Sequence, residues 1–290
     1  MTHHHFWLNI IVFLLLNLAV VGRTSAQQDP VSAAPIQSSP QQLGTTVPVA
    51  PVPERLLTNF LEAGVSYHEF SSDFGRWSGG YFHGVVEKGK NIWSGEINGE
   101  HEFSDAGVYL AVGDTYNFNS DWYASLTVGS SAGGFFWPRF RADGFINRKW
   151  NERKQFITTL GFGYYAAKDV HRDHSIFLGT VYYFQKPWII EDGLRLNVSN
   201  PGTVLSPSGF VAVTQGHNKK RYITLKAGFG QEAYQLIGPT TALTRFPSQT
   251  FDLTWRQWVR KGWGFNLVAS YYHSPFYERG GGSIGFFKDF

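Results

Sequence analysis

Histidine and serine residues lie close enough in this chain to raise the question of hydrolytic chemistry. His68 follows Ser66 by two positions and precedes Glu69. In an extended segment alternate residues share a face, so the Ser66 and His68 side chains point the same way. A hydrolase needs such a pair and a third group that orients the imidazole. Because this spacing arises often by chance in segments rich in small polar residues, we favour a protein without catalytic residues. A lipid-modifying enzyme stays as an alternative.

The remaining histidines give weaker signals. His174 and Ser175 are adjacent, as are His273 and Ser274, so each pair faces opposite sides of an extended segment. His171 and His174 could meet at a metal ion, but two histidines in a loop are usually only solvated. The chain has no cysteine, which excludes thiolate ligands, disulfides and cysteine nucleophiles. We therefore expect neither a metal nor a cofactor.

Alternation with a period of two residues runs through the chain from Asn59 onward and positions these side chains. Apolar residues at 122, 124, 126 and 128 alternate with polar or small ones, and residues 223–229 repeat the pattern. Such alternation predicts strands with one apolar face. Breaks at Gly, Asn, Asp, Ser or Pro give fourteen strands, each at least the ~9 residues needed to cross a membrane when tilted. The predicted strands lie near 59–70, 76–87, 91–102, 105–117, 122–130, 134–147, 154–167, 173–184, 188–198, 207–215, 220–230, 248–259, 262–273 and 279–290.

The last strand indicates what surrounds these strands. It ends in Phe290, and Phe286 and Ile284 share its face. A terminal aromatic on an apolar strand face is typical of outer-membrane β-barrels, and we expect these three residues to be the signal for the barrel-assembly machinery. Lys288 falls on the same face, where an aromatic is usual, but a lysine at the membrane rim can extend its amine to water. Because lipid cannot satisfy backbone polar groups, we predict an all-β transmembrane antiparallel up-and-down β-barrel of about 14 strands.

The segments before the barrel have two different compositions. Residues 6–21 are almost wholly apolar, and small residues follow at 24–26. This run is shorter than the ~20 residues of a spanning helix, so we predict a signal peptide over 1–26 with cleavage after Ala26. Residues 27–58 contain six of the 13 prolines among Gln, Ser and Ala, and are predicted to be a disordered periplasmic linker. The barrel should occupy 59–290.

The overall composition supports a membrane barrel. The chain has 10 Trp, 14 Tyr and 25 Phe but only 16% charged residues. Membrane barrels have this composition because rings of aromatic residues surround them at both membrane interfaces. Loss of Arg23 with the signal peptide lowers the formal net charge from +3 to +2, which is too near neutral to favour nucleic acid. We expect outer-membrane lipids as partners.

Charged residues at alternate positions predict the interior of the barrel. Arg139, Arg141 and Asp143 would share one strand face with Trp137, and three ionisable groups facing lipid would be costly. That face should therefore point inward. The same alternation places in the lumen Glu62, Glu96, Glu100, Arg195, Asn197, Lys226, Asp252 and Arg256. Such a mixture of signs suits either paired charges that fill a narrow interior or a polar conduit for a hydroxylated polymer, with Trp137, Tyr123 and Tyr183 as stacking platforms.

The strand number also predicts the topology. An even number of strands returns both termini to the periplasm. The long connection 231–247 and the Pro/Ser-rich segment 199–206 then lie outside the cell, and the short turns at 88–90, 185–187, 216–219 and 260–262 lie inside. Short periplasmic turns with longer outer loops are the pattern of such barrels.

Three motifs make the chain resemble the YaiO family of outer-membrane β-barrels. They are Tyr67-His68-Glu69-Phe70-Ser71 with Trp77, then Phe136-Trp137-Pro138-Arg139-Phe140-Arg141, and the closing Gly-Phe-Phe-Lys-Asp-Phe. The resemblance covers roughly 59–290 and implies a place beside exopolysaccharide secretion systems of Gram-negative bacteria. We therefore expect a non-enzymatic barrel of the outer membrane, an accessory or conduit in exopolysaccharide or envelope traffic. Its partners would be polysaccharide or a secretion complex, and a structural barrel with a closed lumen is the other alternative.

Overall fold

The computed structural model describes residues 59–71, 76–102, 105–184, 187–235 and 243–290. The predicted signal peptide, 1–26, and linker, 27–58, lie wholly outside these residues. Fourteen strands in the described part form a closed antiparallel barrel, and the predicted fold and strand number are confirmed. The strands are β1 (Phe60–Phe70), β2 (Arg76–Lys88), β3 (Asn91–Glu102), β4 (Asp105–Asn117), β5 (Trp122–Gly133), β6 (Phe140–Trp150), β7 (Phe156–Ala166), β8 (Arg172–Tyr183), β9 (Trp188–Asn200), β10 (Val204–His217), β11 (Arg221–Gln235), β12 (Leu243–Arg260), β13 (Trp263–His273) and β14 (Glu278–Asp289). Within these ranges no helix has the length and apolar character needed to span a membrane.

Each strand pairs with its neighbours in sequence, and β1 closes the barrel against β14. Phe60 lies opposite Asp289 and Phe70 opposite Arg279. The Phe290 N–H donates to the Asn59 carbonyl at 2.9 Å, which extends the seam past the last strand. We call the end that carries Phe60 and Asp289 the terminal end, and the opposite end the loop end.

Outward and inward side chains alternate as predicted. Leu126, Leu225 and Phe251 are exposed on the outer face, whereas Tyr123 is buried inside. Tryptophans on the outer face gather near the terminal end, where an aromatic girdle would meet the membrane interface. They are Trp93, Trp122, Trp150, Trp188, Trp255 and Trp263.

The outward face of β14 carries the predicted assembly residues. Ile284, Phe286 and Phe290 are all exposed there. Lys288 lies opposite Trp263 on β13, with its amine 4.9 Å from the centre of the indole ring. This cation–π contact at the terminal end gives a lysine a favourable place where an aromatic is usual.

The largest differences between the predicted and the observed boundaries concern three segments. Residues 134–139 precede β6 and form a loop, because Gly133 and Gly134 both adopt positive φ and the chain turns inward before Pro138. The segment 199–206 is mostly strand, with a turn at 201–203 where Gly202 and Thr203 have positive φ. Strand β11 extends to Gln235 and strand β12 begins at Leu243. Most of the expected 231–247 loop is therefore also paired.

Candidate functional site

A cavity of about 360 Å³ occupies the half of the barrel interior nearer the loop end. Its lining comes from almost every strand and from the loop between β5 and β6. Among the residues that the sequence assigns to the interior, the cavity is lined by Glu96, Glu100, Trp137, Arg141, Asp143, Arg195, Asn197, Lys226 and Asp252. The alternation therefore brings side chains from β3, β6, β9, β11 and β12 to one space.

A charge network on one wall centres on Asp143, which is buried. Arg141 donates from Nε to Asp143 Oδ2 at 2.6 Å, and Arg195 Nη1 lies 3.9 Å from Asp143 Oδ1. The same Arg195 nitrogen donates to Ser175 Oγ at 2.7 Å. The network spans β6, β8 and β9, and inward-facing Gly163 on β7 leaves room for it, since a Cβ there would crowd both Ser175 Oγ and Asp143 Oδ1.

Trp137 reaches the cavity from a loop and not from a strand. It stacks on Tyr109 of β4 with ring centres 4.8 Å apart and planes 9° from parallel. The Trp137 N–H donates to the Gly134 carbonyl at 3.1 Å, and Ser131 Oγ donates to the Pro138 carbonyl at 2.6 Å. These bonds hold the loop against the inner wall. Tyr123 and Tyr183, the other expected platforms, do not line the cavity but pack together in the terminal half.

Apolar side chains occupy the interior of the terminal half. Phe145, Phe177 and Phe210 pack together below the cavity, with Phe177 and Phe210 stacked at 6.4 Å. Further toward the terminal end, Tyr123, Ile157 and Val181 form another buried group. The side chains of Ile157 and Val181 are each only 2% exposed although they face the lumen. We define the Phe145–Phe177–Phe210 cluster as the floor of the cavity.

Arg256 lies in this packed half, outside the cavity lining. Its Nη1 donates to Glu62 Oε2 at 2.6 Å, and its guanidinium lies 3.6 Å from the centre of the Phe287 ring. Glu62 Oε1 also accepts from the Tyr81 hydroxyl at 3.0 Å and from the Asn266 amide at 3.2 Å. Glu62 is therefore a buried carboxylate that depends on partners from three other strands.

Asp289 connects three elements at the terminal end through hydrogen bonds to its carboxylate. Its Oδ2 accepts from the Trp258 indole N–H at 2.6 Å and from Lys219 Nζ at 2.7 Å. Lys219 lies in the turn between β10 and β11, so this network joins that turn to β12 and β14. The last charged residue of the chain thus helps to close the interior at this end.

Arg139 does not occupy the position that the sequence assigned to it. It is exposed and is not among the residues that line the cavity, although Arg141 is. Strand β6 begins at Phe140, so Arg139 belongs to the preceding loop and strand alternation does not apply to it. Its N–H donates to the Ala166 carbonyl at 2.8 Å.

The histidine and serine candidates are arranged differently from the sequence expectation. Ser66 and His68 both line the cavity, but His68 Nε2 is bonded to Ser270 Oγ on β13 at 3.1 Å. Gly281 of β14 pairs with His68 on one side and with Ser270 on the other. A Cβ at Gly281 would crowd the His68 ring. No acidic or amide side chain in the described ranges hydrogen-bonds the other ring nitrogen of His68. The contact is a His–Ser pair without an orienting group.

His171 and His174 face different surroundings. His171, in the loop before β8, is buried and bonded through Nε2 to Asp173 Oδ1 at 2.8 Å. Burial lowers the pKa of His171, but the bond to Asp173 and the nearby carboxylate charges outweigh it and raise the pKa above its usual value. His174 instead points outward beside Tyr164, with ring centres 5.2 Å apart. Across the described residues, no group of three His, Cys, Asp or Glu side chains could hold a metal ion.

Several residues that line the cavity were not assigned to the interior from the sequence. Tyr109, Ser175, Ser270 and Arg279 all line it. Alternation within β4 and β8 already places Tyr109 and Ser175 on the inward face. The same rule would have identified them if it had been applied to neutral residues as well as to charged ones. Arg279 is the second residue of β14 and has the same parity as Ser283 and Phe287, so the same rule places it inward.

The family model described as the YaiO membrane beta barrel domain matches residues 58–235. The chain belongs to this family. The matched span contains the first two motifs that carried the resemblance and ends before β12. Among curated proteins, none matches the chain by sequence.

Solved structures of proteins named as channels share the fold at low sequence identity. The CymD monoaromatic hydrocarbon channel has a TM-score of 0.56 and 6% identity, over 80% of this chain and 88% of that one. The TodX monoaromatic hydrocarbon channel, as a deletion mutant, has a TM-score of 0.52 and 11% identity, over 80% and 90% of the two chains. An outer-membrane channel from Pseudomonas putida F1 has a TM-score of 0.51 and 8% identity, over 81% and 96%. At these identities the likeness is one of fold.

Proposed function

We propose that this outer-membrane barrel is an accessory or conduit in exopolysaccharide or envelope traffic, and that its cavity receives a hydroxylated saccharide segment from the loop end. Both termini would then lie in the periplasm. The observation that carries the proposal is a cavity that combines paired charges with the Tyr109–Trp137 stack. The channel roles named for CymD, TodX and the Pseudomonas protein support a channel-type role by analogy of fold alone.

Polar atoms without partners favour a ligand with many hydroxyl groups. Five buried side-chain atoms of the cavity lining have no hydrogen-bond partner among the described protein atoms, and leaving such groups unsatisfied is costly. They are Trp137 Nε1, Arg195 Nη2, Arg279 Nε, Ser206 Oγ and Gln231 Oε1. This set includes donors and acceptors, and a hydroxyl group can serve either. Water can serve them as well, so the test must use the saccharide itself.

The charges of the lining favour a neutral saccharide over a strongly charged one. Both signs are present, with six acidic and four basic side chains on the wall, so a strongly charged chain of either sign would meet like charges. The acids are Glu96, Glu100, Glu102, Asp143, Asp173 and Asp252, and the bases are Arg141, Arg195, Lys226 and Arg279.

Conductance in a planar lipid bilayer tests the saccharide proposal. We expect maltohexaose, added on the side of the loop end, to reduce or interrupt the ion current of the purified mature protein. Arg141→Ala should weaken this block and change ion selectivity, because Arg141 lines the cavity. Arg139→Ala is the matched control, since Arg139 is exposed two positions away. Equal effects of the two variants, or no block by the sugar, would contradict the proposal.

A structural barrel with a closed lumen is the second candidate, and the packed terminal half favours it. The double variant Phe177→Ala and Phe210→Ala separates the two functions, because both rings belong to the floor. If the floor closes the lumen, the unaltered protein should conduct little and the variant clearly more. If the unaltered protein already conducts and the variant adds nothing, the passage avoids the floor.

We propose no catalytic role for the His68–Ser270 contact. A lipid-modifying enzyme would lose its activity on substitution of either residue, so His68→Ala and Ser270→Ala should both abolish any hydrolysis of phospholipid or lipid A. We expect no such activity in the unaltered protein. Proteins that act with the barrel, namely the barrel-assembly machinery and an exopolysaccharide secretion complex, are part of the same proposal.

A further inference from the structure

Three cations gather on one segment of the loop-end rim. Arg139 precedes β6, and its N–H bonds to the carbonyl of Ala166, the last residue of β7. Arg172 begins β8 and pairs with the same Ala166 from the other side. Lys168 lies in the connecting loop, and its amine donates to the carbonyls of Gly133 and Gly134, at the start of the loop that leads to Arg139. The three side chains therefore belong to adjacent positions on the rim.

In the described part of the chain these cations make no direct ion pairs with acidic side chains. Within the described ranges, no carboxylate forms an ion pair with Arg139, Lys168 or Arg172. Arg172 Nη1 donates to backbone carbonyls, with the Asp169 carbonyl at 2.8 Å. The nearby Asp169 carboxylate accepts from the His171 N–H at 2.9 Å, and the Asp105 carboxylate from the Phe135 N–H at 2.8 Å. Both carboxylates keep their charge in these bonds, so the rim segment carries three cations against two carboxylates and has a positive balance, with the Arg139 guanidinium in no ion pair among the described residues.

An aromatic row lies directly below this segment on the outer face. Phe140 on β6 is 42% exposed and lies 6.3 Å from Tyr164 on β7, which lies 5.2 Å from His174 on β8. Below the row the same three strands expose apolar side chains toward the middle of the barrel. They are Ile146, Leu160, Phe162, Ile176 and Leu178.

The order from mid-barrel to rim is thus apolar, aromatic and cationic, which is the order of chemistry along a lipid from acyl chain to interface to phosphate. We propose that Arg139, Arg172 and Lys168 bind the phosphate groups of a phosphorylated glycolipid in the leaflet at the loop end, while its acyl chains lie on the apolar face of β6–β8. Arginine suits this role because its guanidinium can bind a phosphate through two hydrogen bonds. The site lies outside the lumen and does not depend on what the cavity binds.

Native mass spectrometry of the detergent-solubilised mature protein, titrated with bisphosphorylated lipid A, tests the site. Arg139→Gln should weaken binding about fivefold, the effect of one arginine near a charged lipid surface. The Arg139 side chain makes no hydrogen bond in the described structure, so this variant should fold. The double variant Arg139→Gln, Arg172→Gln should weaken binding further. The single variant Arg172→Lys should keep most of the affinity, because it keeps the charge and loses only the backbone contacts of Arg172.

Arg153→Gln is the control, because Arg153 is exposed in the turn between β6 and β7 at the terminal end. It should bind bisphosphorylated lipid A as the unaltered protein does. Dephosphorylated lipid A should bind the unaltered protein as weakly as the double variant binds the intact lipid. Equal binding of the two lipids, or equal weakening by Arg153→Gln and Arg139→Gln, would overturn the proposal. Displacement of the lipid by millimolar inorganic phosphate would show a site for free phosphate and would overturn the lipid assignment.

Discussion

The two halves of the barrel interior differ sharply although the same fourteen strands build both. Toward the loop end, inward side chains are mainly charged or polar and leave a cavity, as Arg141, Asp143 and Arg195 do. Toward the terminal end, inward side chains such as Ile157 and Val181 are apolar and fill the space. Strand number therefore sets the width of the interior, while the volume and polarity of each inward residue decide whether that width stays open.

The difference also changes how charge is tolerated. Asp143 borders a cavity that water can enter, and two arginines lie near it. Glu62 is paired with Arg256, whose guanidinium lies over the rings of Phe60, Trp258 and Phe287. A buried charge that loses its partner costs far more than one that can be hydrated.

The largest effect should come from Arg256→Ala. Removal of the guanidinium leaves Glu62 charged in the packed half and should lower the free energy of unfolding by about 3–5 kcal/mol. Arg141→Ala is the matched change in the cavity and should cost only about 1–2 kcal/mol, because Arg195 and water remain near Asp143. Urea unfolding in lipid vesicles measures both. Equal losses would mean that the two halves are hydrated alike and would remove the distinction.

A slightly smaller effect is expected on the outer face. Leu225→Arg should destabilise the barrel by roughly 2–4 kcal/mol if Leu225 lies near the bilayer midplane, whereas Thr224→Arg should cost much less. Leu225 is 59% exposed on the outside, and the Thr224 hydroxyl is bonded inside to that of Thr214 at 2.8 Å. The same unfolding assay measures the pair. Indistinguishable midpoints for the two arginine variants would mean that this part of β11 does not face lipid.

The sequence predicts the strands well because their signal is local. Alternation along each segment identified all fourteen strands, and it correctly distinguished Leu126 from Tyr123 and Leu225 from Thr224. Alternation holds only while a residue is paired in the sheet. It therefore misplaced Arg139, which precedes β6, and it gave Trp137 a strand position although a loop carries it.

Contacts between distant strands were beyond sequence reasoning. Glu62 and Arg256 lie on β1 and β12, and their ion pair depends on how the wall curves after closure. The division of the interior has the same origin, because it depends on which inward side chains lie at the same height around the barrel. Phe145, Phe177 and Phe210 come from β6, β8 and β10, and only the register of the closed sheet brings them together.

Assembly should distinguish two residues at the end of the last strand. Deletion of Phe290 should reduce the rate of insertion severalfold, because its exposed ring and its N–H bond to the Asn59 carbonyl are both lost. Lys288→Tyr should change insertion little, since a tyrosine can replace the contact of Lys288 with Trp263. Heat-modifiable mobility on gels reports the folded fraction over time. Normal amounts of folded barrel after deletion of Phe290 would count against a role for this residue in assembly.

The smallest expected effect is a difference in pH dependence between the two ends. At the loop end, the pKa of buried His171 is raised by its bond to Asp173, so this contact stabilises the fold fully below about pH 6.5 and loses its effect as pH rises through the higher folded pKa. At the terminal end, bonds from Lys154 and Ser120 lower the pKa of exposed Asp121, so any contribution is present at neutral pH and disappears as pH falls through that lowered pKa. Because solvent screens an exposed pair, we expect Asp121→Asn to change the unfolding midpoint hardly at all between pH 3 and pH 7. His171→Gln should lower the midpoint at pH 6 more than at pH 8. A constant effect of His171→Gln across that range would show that its bond to Asp173 does not depend on a protonated imidazole.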